Sequence, residues 1–307
     1  MRVLVYGAGA VGGYFGARLA LGGADVTLVA RGANLAALQT RGLVLHLPDR
    51  TDAVTVRAVA TPDAAPPADV VLVCVKSYDT ATAAAALRPA VRPDTIVLSL
   101  QNGIENEAVL AAGLGLPPLL VGLTRIGVEL TAPGEVTYSG RGTIVFGEAD
   151  GSESARAQRL ADSLAAAGVP HQLRRDVLVA AWEKLAWNAS FNAVTTLTQA
   201  TVADALADPG SRDLIVRTLV EVDAVATAHG VPVRRWRIDD VLRDSVEGLP
   251  DFPTSMLQDL RRGKRLEHDG ITGAVVRHAA RAGVPVPLNR TLLALLARLD
   301  PAGRRAT

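Results

Sequence analysis

The chain changes rhythm a little past its midpoint. In the first half, short and almost unbroken apolar runs recur: Val3 to Tyr6, DVTLVA (25–30), DVVLVCVK (69–76), TIVLSL (95–100) and LLVGLT (119–124). Helix-compatible stretches separate them, one running through Leu19 to the Gly22-Gly23 break, others at about 78–90 and 104–113. Apolar strands alternating with helices predict a parallel sheet covered on both faces. TPDAAPP (61–67) reads as a loop. GVELTAPGEVTYSGRGTIVFGE, further on, alternates in polarity and breaks at Pro133-Gly134 and Gly140. It predicts antiparallel strands added to the parallel core.

From about residue 177 the strand signal disappears. Helical runs are predicted at roughly 178–200, 209–229, 236–247, 254–263, 267–282 and 288–299. Stop and start signals punctuate them at Asp208-Pro209-Gly210, Gly230-Val231-Pro232, Gly248-Leu249-Pro250 and Gly283-Val284-Pro285. A length of 307 residues suits two domains.

The first strand runs straight into Gly7, Gly9 and Gly12, spaced G-x-G-x-x-G, with Ala10 inside the turn and a helix after it. That is the context of the dinucleotide fingerprint. Gly7 permits the tight turn, Gly9 lets the backbone approach a pyrophosphate, and Gly12 allows close packing of helix on strand. The helix N-terminus offers unpaired N–H groups to the phosphates. The expected fold is therefore an α/β Rossmann-type dinucleotide-binding domain over residues 1–175 and an all-α substrate and catalytic domain over 176–307, with the active site in the cleft between them. At the end of the second strand, where an acidic residue would bind the ribose of NAD, stand Ala30-Arg31-Gly32. No carboxylate there repels a 2′-phosphate, and Arg31 can pair with one, which favours NADPH/NADP+. The competing reading is a plain surface arginine.

Two strand ends carry polar residues, Lys76-Ser77 and Gln101-Asn102-Gly103. Ligands bind outside the carboxyl ends of strands in open α/β sheets, so both are candidates to face the cofactor. An ordinary strand-to-helix turn with Asn102 as cap remains open. Cys74 reads as mid-strand core.

Composition adds one useful fact. Only Lys76, Lys184 and Lys264 among the 32 basic residues are lysine; the rest are arginine. Arginine stays protonated in any site and cannot serve as a general acid, whereas lysine can. Lys264, in RRGKR, needs no explanation beyond surface charge. Net charge of +1 excludes a field built for nucleic acid or an anionic membrane. A single cysteine excludes an internal disulfide, and no signal peptide or long apolar span is written, so a cytoplasmic location is the default expectation. The five histidines lack metal-ligand spacing, so no metal site is expected.

The segment WEKLAWNASFNAVTTL (182–197) carries Lys184, Asn188 and Asn192 at steps of four. On a helix these stack on one face. Trp182, Leu185, Trp187 and Phe191 spread around much of the same helix, leaving little of it to face water. A buried polar row needs partners, and a bound ligand can supply them.

At this point the chain resembles the ketopantoate reductase (2-dehydropantoate 2-reductase) family along essentially its whole length. The matching pieces are GAGAVGGYFGARLA, CVKSYDT, QNGIENE, WEKLAWNASFNAVTTL, PTSMLQDLRRGKRLEHDGITGAV and GVPVPLNRTL. The resemblance implies an NADPH-dependent reduction of a 2-keto acid serving pantothenate synthesis, with hydride moving to C2. It makes Lys184 the catalytic general acid, Asn188 and Asn192 substrate-binding residues, and Ser255 a partner of the substrate carboxylate. Glu267 faces the active-site lysine, Asn102 lies beside the nicotinamide, Lys76 on the cofactor side, and Arg31 recognises the 2′-phosphate. A lysine of ordinary pKa, about 10.4, is protonated at pH 7 and suits a proton donor. The sequence departs from the family after Glu267, where His268 and Thr272 replace an aliphatic residue and an asparagine. That departure bears on the outer substrate contacts. Two alternatives stay open: a reductase of another 2-keto acid, and an NADPH-binding regulator without turnover. A small keto acid is the expected partner. A homodimer is left open, because an amphipathic helix looks alike in a core and at an interface.

Overall fold

The computed structural model describes residues 1–231, 238–248 and 253–304. Pro232, Leu249 and Pro250, read above as helix breakers, and the first two residues of the helical run at 236–247 lie outside the described residues. The chain forms two compact units: one of residues 1–101 and 105–177, the other of residues 102–104 and 178–307.

In the first unit the elements run β1 (Arg2–Tyr6), α1 (Ala10–Leu21), β2 (Asp25–Val29), α2 (Gly32–Arg41), β3 (Leu43–His46), β4 (Thr51–Val54), β5 (Arg57–Val59), β6 (Val70–Val73), α3 (Thr80–Leu87) and β7 (Ile96–Ser99). They continue with α4 (Asn106–Leu114), β8 (Val121–Ala132), β9 (Glu135–Gly147), α5 (Ala155–Ala166) and β10 (His171–Leu173). Five strands pair in parallel in the order β5-β2-β1-β6-β7. The alternation of side chains explains why β1, β2, β6 and β7 are apolar over most of their length. Val3, Val5, Val26, Leu28, Val70, Leu72 and Leu98 enter one core together with Phe15 and Leu19 of α1. Leu4, Val71, Val73 and Val97 enter another, with Ala83, Ala84 and Leu87 of α3 and Leu110 of α4. Both faces are covered, as parallel strands require. The chain moves outward from β1 to β2 and β5, then returns to β6 on the other side of β1. This reversal creates the crevice at the carboxyl edge where ligands of such sheets bind.

The second sheet has the order β10-β9-β3-β4, with β8 on β9. Two details differ from the sequence expectation. LLVGLT makes only a single parallel bridge, Leu98 with Leu120, before the chain enters the long antiparallel β8–β9 ribbon. Gly140 is not a turn: it sits inside β9 opposite Gly127, at a shift of register. An alternating sequence interrupted by glycine fits a bulge as well as a turn. The turn itself is at Gly134, whose φ of 78° suits glycine. Cys74 lies one residue past the end of β6, and burial pushes its thiol up to about 12.

The second unit is helical: α6 (Val177–Trp187), α7 (Ala193–Thr198), α8 (Val202–Ala207), α9 (Pro209–Ala228), α10 (Ile238–Gly248), α11 (Ser255–Arg261), α12 (Ala274–Ala282), α13 (Pro287–Leu299) and α14 (Pro301–Arg304). Trp182, Leu185 and Phe191 lie in one core with Ile215, Leu219, Val222, Leu266, Ile271 and Leu292. Among the described residues no helix is long and apolar enough to cross a membrane. The helix expected over 178–200 is divided: α6 widens into a π-helical turn at Asn188–Asn192 before α7 begins. A second π turn, Asp269–Gly273, leads into α12 and packs against the first.

Candidate active site

The glycine loop follows β1 directly. Gly7 has φ of 103°, and a side chain there would press on Val75 Cγ1 at 2.7 Å. At Gly12 a Cβ would lie 2.1 Å from the Gly7 carbonyl oxygen, so α1 can start only this close to the strand if both residues are glycine. Gly9 differs from both. It is the N-cap of α1, makes no side-chain cap, and has nothing within 4 Å of where a Cβ would stand. Neither sterics nor φ (−77°) demands glycine there. An open approach to the bare N-terminus of a twelve-residue helix, with no acidic residue in its first turn, fits a dinucleotide phosphate. Ala10 is the first residue of that helix.

The loop is held from α2, a feature the sequence pattern did not reveal. Asn34 Nδ2 donates to the Ala8 carbonyl (2.7 Å), and its Oδ1 accepts from the Gly134 N–H (2.7 Å). An asparagine within a helix carries no signal of such a long-range clamp.

Arg31 caps α2 at the end of β2, 81% exposed, with Nη2 3.9 Å from Asp79 Oδ2. Lys76 follows β6, half-buried, at the start of a tight turn. Gln101 ties this edge together. It is buried, donates to Thr80 Oγ1 (2.8 Å) and to the Lys76 carbonyl (3.4 Å), and accepts from Ser99 Oγ (3.2 Å). The glycine loop, Arg31 and Lys76 thus share the carboxyl edge of one parallel sheet.

The second unit gathers the other candidates. Lys184 is half-buried on the last turn of α6; Asn188 and Asn192 open and close the π turn, both buried. In an α-helix each four-residue step overshoots a full turn by about 40°. In a π turn, which needs more than four residues to close, the same step falls short. One step of each kind keeps Lys184 and Asn192 nearly in line. The row is therefore not a solvated face. Asn192 is 0% exposed, and neither atom of its amide finds a partner among the described residues. The same holds for the hydroxyls of Thr196, one α-helical turn on, and Thr272 in the facing π turn. Orphaned polar atoms in such a place cost about 1–3 kcal/mol each unless a ligand or water satisfies them.

Asn102 belongs to this unit. Its Nδ2 donates to Glu267 Oε2 (3.4 Å), and its Oδ1 accepts from Asn188 Nδ2 (3.5 Å). Glu267 is 5% exposed, two residues before the second π turn, and the Ile271 N–H donates to its carbonyl (3.1 Å). Ser255 lies apart from this chain of contacts as the first residue of α11 and is exposed. Its neighbour Thr254 is the buried one, capping α11 and meeting Thr195 Oγ1 at 2.8 Å. α11 packs on the first π turn and on α7. Burial depresses the pKa of the His268 imidazole, an effect the nearby Asp300 and Asp269 carboxylates oppose.

Known proteins match the chain along nearly its whole length. The family model described as ketopantoate reductase PanE/ApbA matches residues 3–151, and that of its C-terminal domain matches residues 176–300. A 2-dehydropantoate 2-reductase of Halobacterium salinarum is 36% identical over 96% of this chain and 98% of its own. One from Archaeoglobus fulgidus is 35% identical over 96% of each chain. The crystal structure of a PanE/ApbA family ketopantoate reductase from Ralstonia eutropha JMP134 superposes with a TM-score of 0.91 at 36% identity, covering 99% of this chain and 100% of the other. A D-mandelate dehydrogenase solved with NADH and anilino(oxo)acetate shares the fold at a TM-score of 0.90 and 22% identity. With both of its units matched, this chain belongs to the ketopantoate reductase PanE/ApbA family of oxidoreductases.

Proposed function

We propose that the protein reduces 2-dehydropantoate (ketopantoate) to pantoate with NADPH, with Lys184 as the general acid. The dinucleotide, when bound, supplies the hydride that reaches C2 of the keto acid. The amides at the N-terminus of α1 and the open backbone at Gly9 accept its pyrophosphate, and Arg31 pairs with the 2′-phosphate. Lys184 delivers a proton to the oxygen on C2 and, as a cation aimed at a growing negative charge, lowers the barrier; one such donor is worth roughly 3–4 kcal/mol. Glu267 and Asn102 keep the ammonium charged and oriented. Asn188 and Asn192 take the distal hydroxyl of the substrate, and Ser255 its carboxylate.

The observation that carries this reading is the amide of Asn192, buried and without a partner among the described residues, on the same row as Lys184. A buried amide without such a partner carries a cost that a bound substrate would recover. Following NADPH absorbance with ketopantoate, pyruvate and 2-ketoisovalerate tests it. Turnover on ketopantoate at a kcat/KM well above the others is expected. Preference for another 2-keto acid supports the second reading, which the change to Thr272, with its buried and orphaned hydroxyl, favours. Tight NADPH binding without turnover on any of them leaves a regulator.

A further inference from the structure

Glu267 is held from a direction that its role does not require. Asp300, in the short link from α13 to α14, is 4% exposed. Its Oδ1 accepts from the Leu266 N–H (3.2 Å) and from the Ala302 N–H (3.0 Å). Its Oδ2 stands 3.5 Å from His268 Nδ1, and both side chains are largely buried. One carboxylate thus holds the residue before Glu267 by a hydrogen bond and lies beside the ring of the residue after it, whose Nδ1 makes no hydrogen bond among the described residues. On the far side of the turn, the Ile271 N–H donates to the Glu267 carbonyl. The backbone is tied at the Leu266 N–H on one side and at the Glu267 carbonyl on the other, and the Glu267 carboxylate meets Asn102.

We propose that Asp300 is a positioning residue for Glu267: through the Leu266 N–H it sets the direction of the Glu267 carboxylate. A carboxylate is worth burying here because charge-assisted bonds to backbone N–H groups hold a turn more firmly than neutral ones. The buried Leu266 N–H would otherwise have no acceptor, and the turn would relax. Placement within a fraction of an ångström decides how well a charged group acts in the transition state. The inference rests on the proposed role of Glu267.

The test is a double-mutant cycle on the full chain, with kcat, both KM values and the melting temperature measured for each variant. Asp300→Asn keeps an oxygen for Leu266 and Ala302 and should hold kcat within about 3-fold, whereas Asp300→Leu removes the acceptor and should lower kcat by about 10-fold or more, with KM for NADPH unchanged. In a Glu267→Gln background the same Asp300→Leu change should cost less than about 2-fold, because the group it positions is already disabled. If Asp300→Leu does not fold, Asp300→Glu takes its place: it keeps the charge, displaces the oxygens, and should show the same loss and the same dependence on Glu267. Full kcat in the folded variant, or an undiminished loss in the Glu267→Gln background, overturns the positioning role alone. A Glu267→Gln enzyme with normal kcat overturns the role of Glu267 itself, and the inference with it.

Discussion

Asn102 donates to Glu267 across 3.4 Å, although 165 residues separate them in the chain. The same amide accepts from Asn188, so its two ends are read in opposite senses. An asparagine can do this, and neither a carboxylate nor an alkyl group can. Asn102→Ala should lower kcat by about 10-fold through loss of the link. Asn102→Asp, though closer in shape, should be worse, by about 100-fold at neutral pH, because it sets a second negative charge beside Glu267. Steady-state rates for the two variants decide this; an aspartate as active as the alanine would remove Glu267 as the relevant neighbour.

Lys184→Ala should lower kcat by about two orders of magnitude or more while NADPH still binds, as followed by nicotinamide fluorescence. Lys184→Arg keeps the charge, but a guanidinium does not release its proton, so it should rescue little. Near-normal turnover in either variant would reject the general acid.

The glycine loop separates fold from binding. Gly12→Ala puts a methyl group 2.1 Å from a backbone oxygen and should unfold or strongly destabilise the first unit. Gly9→Ala meets nothing within 4 Å. It should leave the melting temperature of the free protein unchanged and still weaken NADPH by about 10-fold or more, since the methyl occupies the phosphate approach. Unchanged affinity in titrations of Gly9→Ala would place the pyrophosphate elsewhere.

Four strands of the parallel sheet, β1, β2, β6 and β7, were legible in the sequence because they are buried on both faces and so are apolar over most of their length. The edge strand β5 and the short β4, which pairs with β3 in a hairpin, are half-exposed and carry no such run. The polar row was legible from its spacing. The π turn that keeps it in line was not, since one wide turn leaves no periodic trace in so short a segment. Asn34 and Asp300 escaped for a related reason. Their partners lie far along the chain, and nothing local marks an asparagine or aspartate that clamps a backbone from one that caps a helix.

Arg31 is exposed and reaches Asp79 only at 3.9 Å, so the fold depends little on it. Arg31→Asp should therefore keep the melting temperature and shift the ratio of kcat/KM for NADPH over NADH by about 10-fold or more toward NADH, by repelling the 2′-phosphate. Parallel assays with both dinucleotides check it, and an unchanged ratio would assign cofactor choice to another residue.

Asn192 offers the sharpest separation of stability from function. Its amide is wholly buried and neither end of it finds a partner among the described residues, which leaves the folded state with an uncompensated cost. Leucine has nearly the same shape and no polar atoms to leave unpaired. If the amide is kept for a ligand, Asn192→Leu should hold or raise the melting temperature, by roughly 2–4 °C for each kcal/mol recovered. The same change should lower kcat/KM for the keto acid by about 100-fold, because a site built to hydrogen-bond a hydroxyl loses that contact. Calorimetry and steady-state kinetics on one preparation give both numbers. A large fall in melting temperature with kcat/KM preserved would mean that the amide serves the core through ordered water, and the polar row would lose its claim on the substrate.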